Sequence, residues 1–381
     1  MNTADISENE VFCEKVISEL NKVISDPHAS VQSFEIISVP FKQNKSPVRL
    51  VDHHLGIESW CLKYVYQHAH KYIINQRKLN RYPLTIVKYL NCAILINPDV
   101  ATFWNVRRQL VEKVQLSLTQ EFQFSHLVLS KKPKSSEAFF YRRWLYSFQS
   151  GEAIDWAVEI SLCERCAERK NSNYHAWNHR QWVLQKAPNL LSYEIIKTEK
   201  FIRKNIADYS AYHHRHFVLT KLFDLQYFDI HDTNLNELYQ FINCGQPDDK
   251  KINNVDDLAL YLLPNVSVPS SPRQSINTVK LNSFYYFLNL IVHDLRMINT
   301  LTELHGKYEA FSCYRRIITK SAVDICRLTN SSNYMMTEQF IKNTSTKVAH
   351  DGIAQSVIVD ILIKQLDMSD EHNVKFAELF L

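Results

Sequence analysis

The sequence predicts an all-α fold, a right-handed α-solenoid curved into a crescent and built from helical hairpin repeats. Three observations point to it. A motif of an aromatic residue, two further residues and an arginine recurs at Trp104/Arg107, Phe139/Arg142, Trp177/Arg180 and Tyr212/Arg215, its centres spaced by 35, 38 and 35 residues. Apolar residues at i, i+3, i+4 spacing fill the stretches between the copies. The 381 residues include only five Gly and eleven Pro, too few for a fold made of tight β turns. Hairpins of this period cannot bury their apolar faces alone, so stacking in a row is the stable arrangement, a single solenoid domain over residues 1–381.

Taken in order, residues 1–80 are expected to form N-terminal capping helices, with a helix near 6–25 and a looser segment through "SVPFKQNKSPVRLVDHH". Four repeats follow over 81–225. Between the motif copies lies a second set of helices, at 83–97, 118–131, 153–170 and 192–208, so each period is one helix pair. Asn97-Pro98-Asp99 and Lys132-Pro133-Lys134 punctuate the turns. After Leu222 the rhythm breaks. A helix near 232–244 precedes an inserted polar loop over 245–278, rich in Pro and Ser towards its end. Helical pattern resumes at 281–304, a fainter fifth copy centres on Phe311 with its arginine one place late at Arg315, and 353–367 reads as the last helix of a C-terminal part over 279–381.

The net charge of +4 gives no case for nucleic acid or a membrane surface as a partner. No run approaches the roughly 18 apolar residues of a spanning helix. The acidic start lacks the apolar core of a secretory signal, and "FAELFL" offers no cysteine for a lipid anchor, so a cytoplasmic chain without a direct membrane anchor is expected. Eight cysteines are scattered through apolar helical stretches and read as reduced, buried thiols. Cys163 and Cys166 form one CxxC without the further ligands that a zinc site needs.

The repeated arginines Arg107, Arg142, Arg180 and Arg215 read first as structural: a flat guanidinium stacks on a ring and donates to carbonyls of the adjacent helix. A ligand site seldom needs the same contact in every unit. His175 and His179 stand at i, i+4, a spacing two zinc ligands could use, yet no third ligand is positioned by spacing. His179 and His214 read as hydrogen-bonded core histidines, whereas His175 sits early in its helix, beside the turn. Tetratricopeptide units share the period but need Gly, Ala and a closing Pro at set places, which are missing here; armadillo and HEAT units are longer and poorer in Trp.

"NYHAWNHRQWVLQ" at 173–185, with its three in-register companions, resembles the repeat signature of the protein prenyltransferase α subunits, over roughly residues 80–225 and again weakly near 305–316. The resemblance implies one half of a heterodimer that is active only with its β subunit. That partner would hold the zinc and the isoprenoid pocket, so no cofactor is expected on this chain. The implied reaction is transfer of an isoprenoid, geranylgeranyl in type, from its diphosphate to the thiolate of a cysteine-bearing acceptor protein. The implied partner is the β subunit of the Rab geranylgeranyltransferase. Members supply a lysine from the turn before a repeat's aromatic, and here Lys134 holds that place, five residues before Phe139. A cation there would meet charge developing on the diphosphate, worth about 2–4 kcal/mol by analogy with a lost oxyanion donor. Tyr174 and His175 stand where members line the same site. Three positions depart from the pattern: Ser136 for a Tyr, Phe139 for a Trp and Tyr141 for a His. Ser136 and Tyr141 motivate the alternative of a non-catalytic α-solenoid scaffold that binds proteins on its concave face.

Overall fold

The computed structural model describes residues 3–42, 44–149, 154–225 and 276–331. The chain divides into two compact units, Met1–Val183 and Leu184–Leu381. The helices expected near 232–244 and 353–367, and the inserted loop up to residue 275, lie outside the described residues.

In the first unit, α1 (Thr3–Ser25) buries Cys13, Val16, Ile17 and Leu20, an apolar stripe at helical spacing. It packs against α2 (Leu62–Lys78) and α3 (Ile86–Ile96). One carboxylate joins the three: Glu14 accepts from His68 of α2 at 2.8 Å and from Lys88 and Tyr89 of α3 at 2.8 and 2.6 Å. Burial raises its pKa, but these hydrogen bonds outweigh burial and hold it at about 2.

The segment between α1 and α2 corrects the expectation of capping helices joined by loose chain. It forms a three-stranded sheet of β1 (Ser33–Ile37), β2 (Val48–Val51) and β3 (His54–Glu58), in the order β1-β3-β2. β1 runs parallel to β3, with Phe34 opposite Leu55, and β2 runs antiparallel to it, with Val51 opposite His54. The β2–β3 turn has only two central residues, Asp52 and His53, both in the left-handed region at φ 44° and 68°. That is the geometry of a hairpin turn usually marked by Asn-Gly or Asp-Gly; without a glycine the marker was missing from the sequence. β1 lies on the first helix of the next repeat, where the Phe34 N–H donates to Ser130 Oγ at 3.0 Å.

The repeats are the predicted hairpins. In the first unit they are α3 with α4 (Ala101–Glu112), α5 (Leu118–Lys131) with α6 (Ser136–Leu145), and α7 (Trp156–Arg169) with α8 (Tyr174–Lys186), whose last turn crosses the unit boundary. First helices pack on first helices, α3 on α5 on α7, and α4 packs on α6. The second unit holds α9 (Leu191–Lys204) with α10 (Tyr209–Leu225), and α11 (Ile276–His305) with α12 (Glu309–Ser331). The central aromatics Trp104, Phe139, Trp177, Tyr212 and Phe311 are all buried. Trp104 Nε1 donates to Pro98 O at 2.7 Å and Tyr212 Oη to Ile206 O at 3.0 Å, so the ring's polar tip ties each helix to the turn before it.

The repeated arginines work through partners in the first helices. Four of these first helices bury a carboxylate that bonds motif residues: Glu121 in α5, Glu159 in α7, Glu194 in α9, which also buries Glu199, and Asp294 in α11. Glu121 accepts both Nε and Nη2 of Arg107, from the preceding hairpin, and Oη of Tyr141, from its own. Glu159 does the same for Arg142, at 2.8 and 2.5 Å, and for His179 Nε2 at 2.7 Å. Asp294 repeats the arrangement with Arg215 at 2.8 and 2.5 Å and with Tyr314 at 2.5 Å, while Glu194 accepts from His214 Nε2 at 2.8 Å. The repeating unit is therefore Tyr/His followed by Arg, seen in Tyr141-Arg142, His179-Arg180, His214-Arg215 and Tyr314-Arg315. Aligned on that dipeptide, the fifth copy is in register. The expected stacking and carbonyl contacts are present but secondary: Arg107 lies 3.9 Å from the Phe124 ring centroid, and Arg142 and Arg215 donate to Phe122 O and Ile195 O at 2.8 and 2.6 Å.

Candidate functional site

Second helices α6, α8 and α10 start alike. Four residues before each central aromatic stands a capping side chain, Ser135, Asn173 or Asp208. Ser135 Oγ accepts from Ala138 N at 3.4 Å, Asn173 Oδ1 from Ala176 N at 3.2 Å and Asp208 Oδ1 from Ser210 N at 3.0 Å. The caps anchor the turns, and the turns carry the candidate residues.

Lys134 is exposed between two buried neighbours, Pro133 and Ser135. Lys132 closes an ion pair with Asp99 of the preceding turn. On the other side, Asn173 Nδ2 donates to Pro133 O at 2.7 Å. The turn bearing Lys134 is thereby sewn directly to the turn before Tyr174 and His175. Those two side chains meet edge to face, ring centroids 5.7 Å apart, with Tyr174 exposed and His175 half-buried. The structure brings Tyr174 and His175 into contact and sets Lys134 on the adjacent turn, one residue from the bond joining the two.

A polar chain behind Tyr174 was not read from the sequence. Tyr174 Oη accepts from Asn178 Nδ2 at 3.1 Å, and Asn178 Oδ1 accepts from Arg143 Nη2 at 2.9 Å. Arg143 Nε donates to His179 Nδ1 at 3.1 Å, and His179 Nε2 reaches Glu159. An arginine only donates, so His179 Nδ1 must be the acceptor and Nε2 must carry the proton. His179 is thus the neutral imidazole in one fixed tautomer, and burial lowers its pKa. The i, i+4 spacing of Tyr174 and Asn178 was the available signal.

Tyr141, one of the departures, is fully buried and donates to Glu121 as His179 donates to Glu159. Its exchange for histidine leaves the exposed turns untouched. Phe139 likewise keeps its packing role, 5.1 Å from the His179 ring. Cys163 and Cys166 are both free and buried in α7, where burial pushes the Cys166 thiol up to about 12. Among the described residues no group of His, Cys, Asp and Glu is placed to hold a metal ion, so they offer no ligand set for zinc. Among the same residues no helix is long and apolar enough to cross a membrane.

Imidazoles wholly or partly shielded from water give the fold a pH dependence. Burial lowers His126 to about 4 and lowers His179 and His216 as well. In the unfolded chain each takes up a proton near pH 6.5, but in the fold only at lower pH. Stability is therefore expected to fall as pH drops below about 6.5, with His126 alone contributing about 2 kcal/mol of loss by pH 5. Melting temperatures measured from pH 7 to pH 5 check this, and a flat profile would contradict it.

Helical hairpins in series, with carboxylates buried in the first helices α5, α7, α9 and α11 and side-chain caps at the turns before α6, α8 and α10, define a helical-repeat protein. Residues 118–149, 156–187 and 191–222, which hold α5–α6, α7–α8, and α9 with most of α10, match the protein prenyltransferase alpha subunit repeat. It is 33% identical over 202 residues to protein prenyltransferase alpha subunit repeat-containing protein 1 of Homo sapiens, covering 46% of this chain and 49% of the relative. Protein 1-A of that name from Xenopus laevis is 32% identical over 209 residues, 48% of either chain. Geranylgeranyl transferase type-2 subunit alpha of Mus musculus is 28% identical over 150 residues, 37% of this chain and 26% of the relative. The chain spans about half the length, or less, of the relatives it matches.

Proposed function

We propose that this chain is the α subunit of a heterodimeric protein prenyltransferase, geranylgeranyl in type, acting in the cytoplasm with the β subunit of the Rab enzyme. One observation carries the reading: Lys134 is exposed on a turn pinned by the Asn173–Pro133 hydrogen bond to the turn that opens into Tyr174 and His175. The named relatives add support, since one is the α subunit of a geranylgeranyl transferase.

In the reaction, the acceptor's cysteine sulfur bonds to C1 of the isoprenoid as the C1–O bond breaks and diphosphate leaves with the electron pair. The Lys134 ammonium meets the charge that grows on the departing diphosphate, an interaction stronger in the transition state than in the ground state. Tyr174 Oη, held by Asn178, and the His175 ring bind the same group and fix its orientation. Zinc is assigned to the partner subunit.

A scaffold without catalysis is the second reading. Ser136 favours it, standing where the family carries a tyrosine. Co-elution separates the two. Mixed with the Rab-type β subunit, the chain is expected to leave a sizing column as a one-to-one complex. Separate elution at micromolar concentration would overturn the α-subunit reading and leave the scaffold.

A further inference from the structure

Two arginines stand apart from the buried carboxylates. Arg108 on α4 and Arg143 on α6 each follow a repeat arginine by one place and point to the neighbouring second helix. Arg108 lies 5.8 Å from the ring centroids of both Tyr141 and Trp144, and Arg143 lies 5.7 Å from that of Trp182. Their hydrogen-bond acceptors are all neutral: Asn105 Oδ1 for Arg108, and Asn178 Oδ1 and His179 Nδ1 for Arg143. Among the described residues neither guanidinium has a carboxylate partner. The acidic residues of α4 and α6, Glu112 and Glu137, sit at helix ends and pair with neither, and α8 has none.

Burial lowers the Arg143 pKa, so this cation is held half out of water with its charge unbalanced. Around it the surface is aromatic. Phe140 is 53% and Phe148 41% exposed, with Phe148 edge-on to Trp144 at 4.6 Å. Arginine and large aromatic side chains, with lysine and glutamate rare, make up the energetic centre of protein interfaces rather than an ordinary solvated face. The open guanidinium donors ask for carboxylates, and the rings between them ask for apolar side chains.

We infer that the second-helix face of α4, α6 and α8 is a docking surface for a protein segment that presents carboxylates beside apolar side chains, with Arg108 and Arg143 as its two charge anchors. The inference does not rest on prenyl transfer, although Arg143 also holds Asn178, the residue that bonds Tyr174. Neither arginine touches Lys134, and the test needs no β subunit.

The probe is a short fluorescein-labelled peptide of alternating Glu and Leu, titrated against the full chain and read by fluorescence polarisation. Saturable binding is expected, weakening as salt rises. Arg108→Glu, whose side chain bonds only to exposed Asn105, is expected to weaken it by about tenfold or more through like-charge repulsion. Arg143→Gln should weaken it too, provided that circular dichroism shows the fold intact; the Arg108 variant decides the matter if it does not. Equal binding of an alternating Lys and Leu peptide, displacement of the acidic peptide by inorganic pyrophosphate, or unchanged binding to the Arg108 variant would each overturn the inference.

Discussion

Replacing Glu159 by alanine is expected to destabilise the first unit by about 3–5 kcal/mol. This carboxylate accepts four hydrogen bonds: two from Arg142, one from His179 Nε2 and one from Tyr146 Oη at 2.9 Å. Burial alone would raise its pKa. The Arg142 guanidinium and the imidazole N–H outweigh burial and hold the group ionised, well below the usual carboxylate range. Truncation strands Arg142, whose remaining acceptors are Phe122 O and Ser125 Oγ, with its charge uncompensated inside the repeat stack. A buried ion pair gains little over apolar side chains of the same volume, but half of one is costly. The pair Arg142→Met with Glu159→Leu should therefore cost much less than Glu159→Ala alone. Urea denaturation followed by tryptophan fluorescence measures both. A loss below about 1 kcal/mol for Glu159→Ala would show that the carboxylate is not what joins the hairpins.

Lys134→Ala is expected to lower kcat of the assembled enzyme by about a hundred- to a thousandfold, the usual effect of removing one group that stabilises developing negative charge. The Lys134 side chain makes no hydrogen bond or ion pair with the described residues. Its turn is held instead by Pro133 O, by the Ser135 cap and by the Lys132–Asp99 ion pair. The melting temperature, the co-elution with the β subunit and KM for the acceptor should therefore stay as they were. Lys134→Arg keeps the charge and should recover part of the rate. An unchanged kcat in an intact heterodimer would remove Lys134 from the chemistry; a parallel loss of assembly would mark it as an interface residue instead.

The second helices were legible because their motif combines a large ring with an arginine at i+3, and the observed helices α4, α6, α8 and α10 each begin three residues before that ring. His179 and His214 were rightly read as core residues, for each is fully buried on a carboxylate. The carboxylates themselves were not legible. A single Glu in an amphipathic helix, such as Glu159 between Val158 and Ile160, has the spacing of an ordinary solvated position, and only the packed neighbour shows that it faces inward. The arginines were assigned to rings and carbonyls for the same reason. The sheet was hidden by Asp52-His53, a tight turn without its usual glycine. Lys134, Tyr174 and His175 were reached through family register. The Asn173–Pro133 bond that joins their turns links residues far apart in sequence, which no local pattern could reveal.

The most direct test of the α-subunit account is a single-turnover assay of isoprenoid transfer. The chain, the Rab-type β subunit and labelled geranylgeranyl diphosphate are combined with a cysteine-bearing acceptor protein. The account predicts label on the acceptor only when both subunits are present. A stable, co-eluting complex that transfers no label to any cysteine-bearing acceptor, or transfer by the β subunit unaided at the same rate, would contradict it.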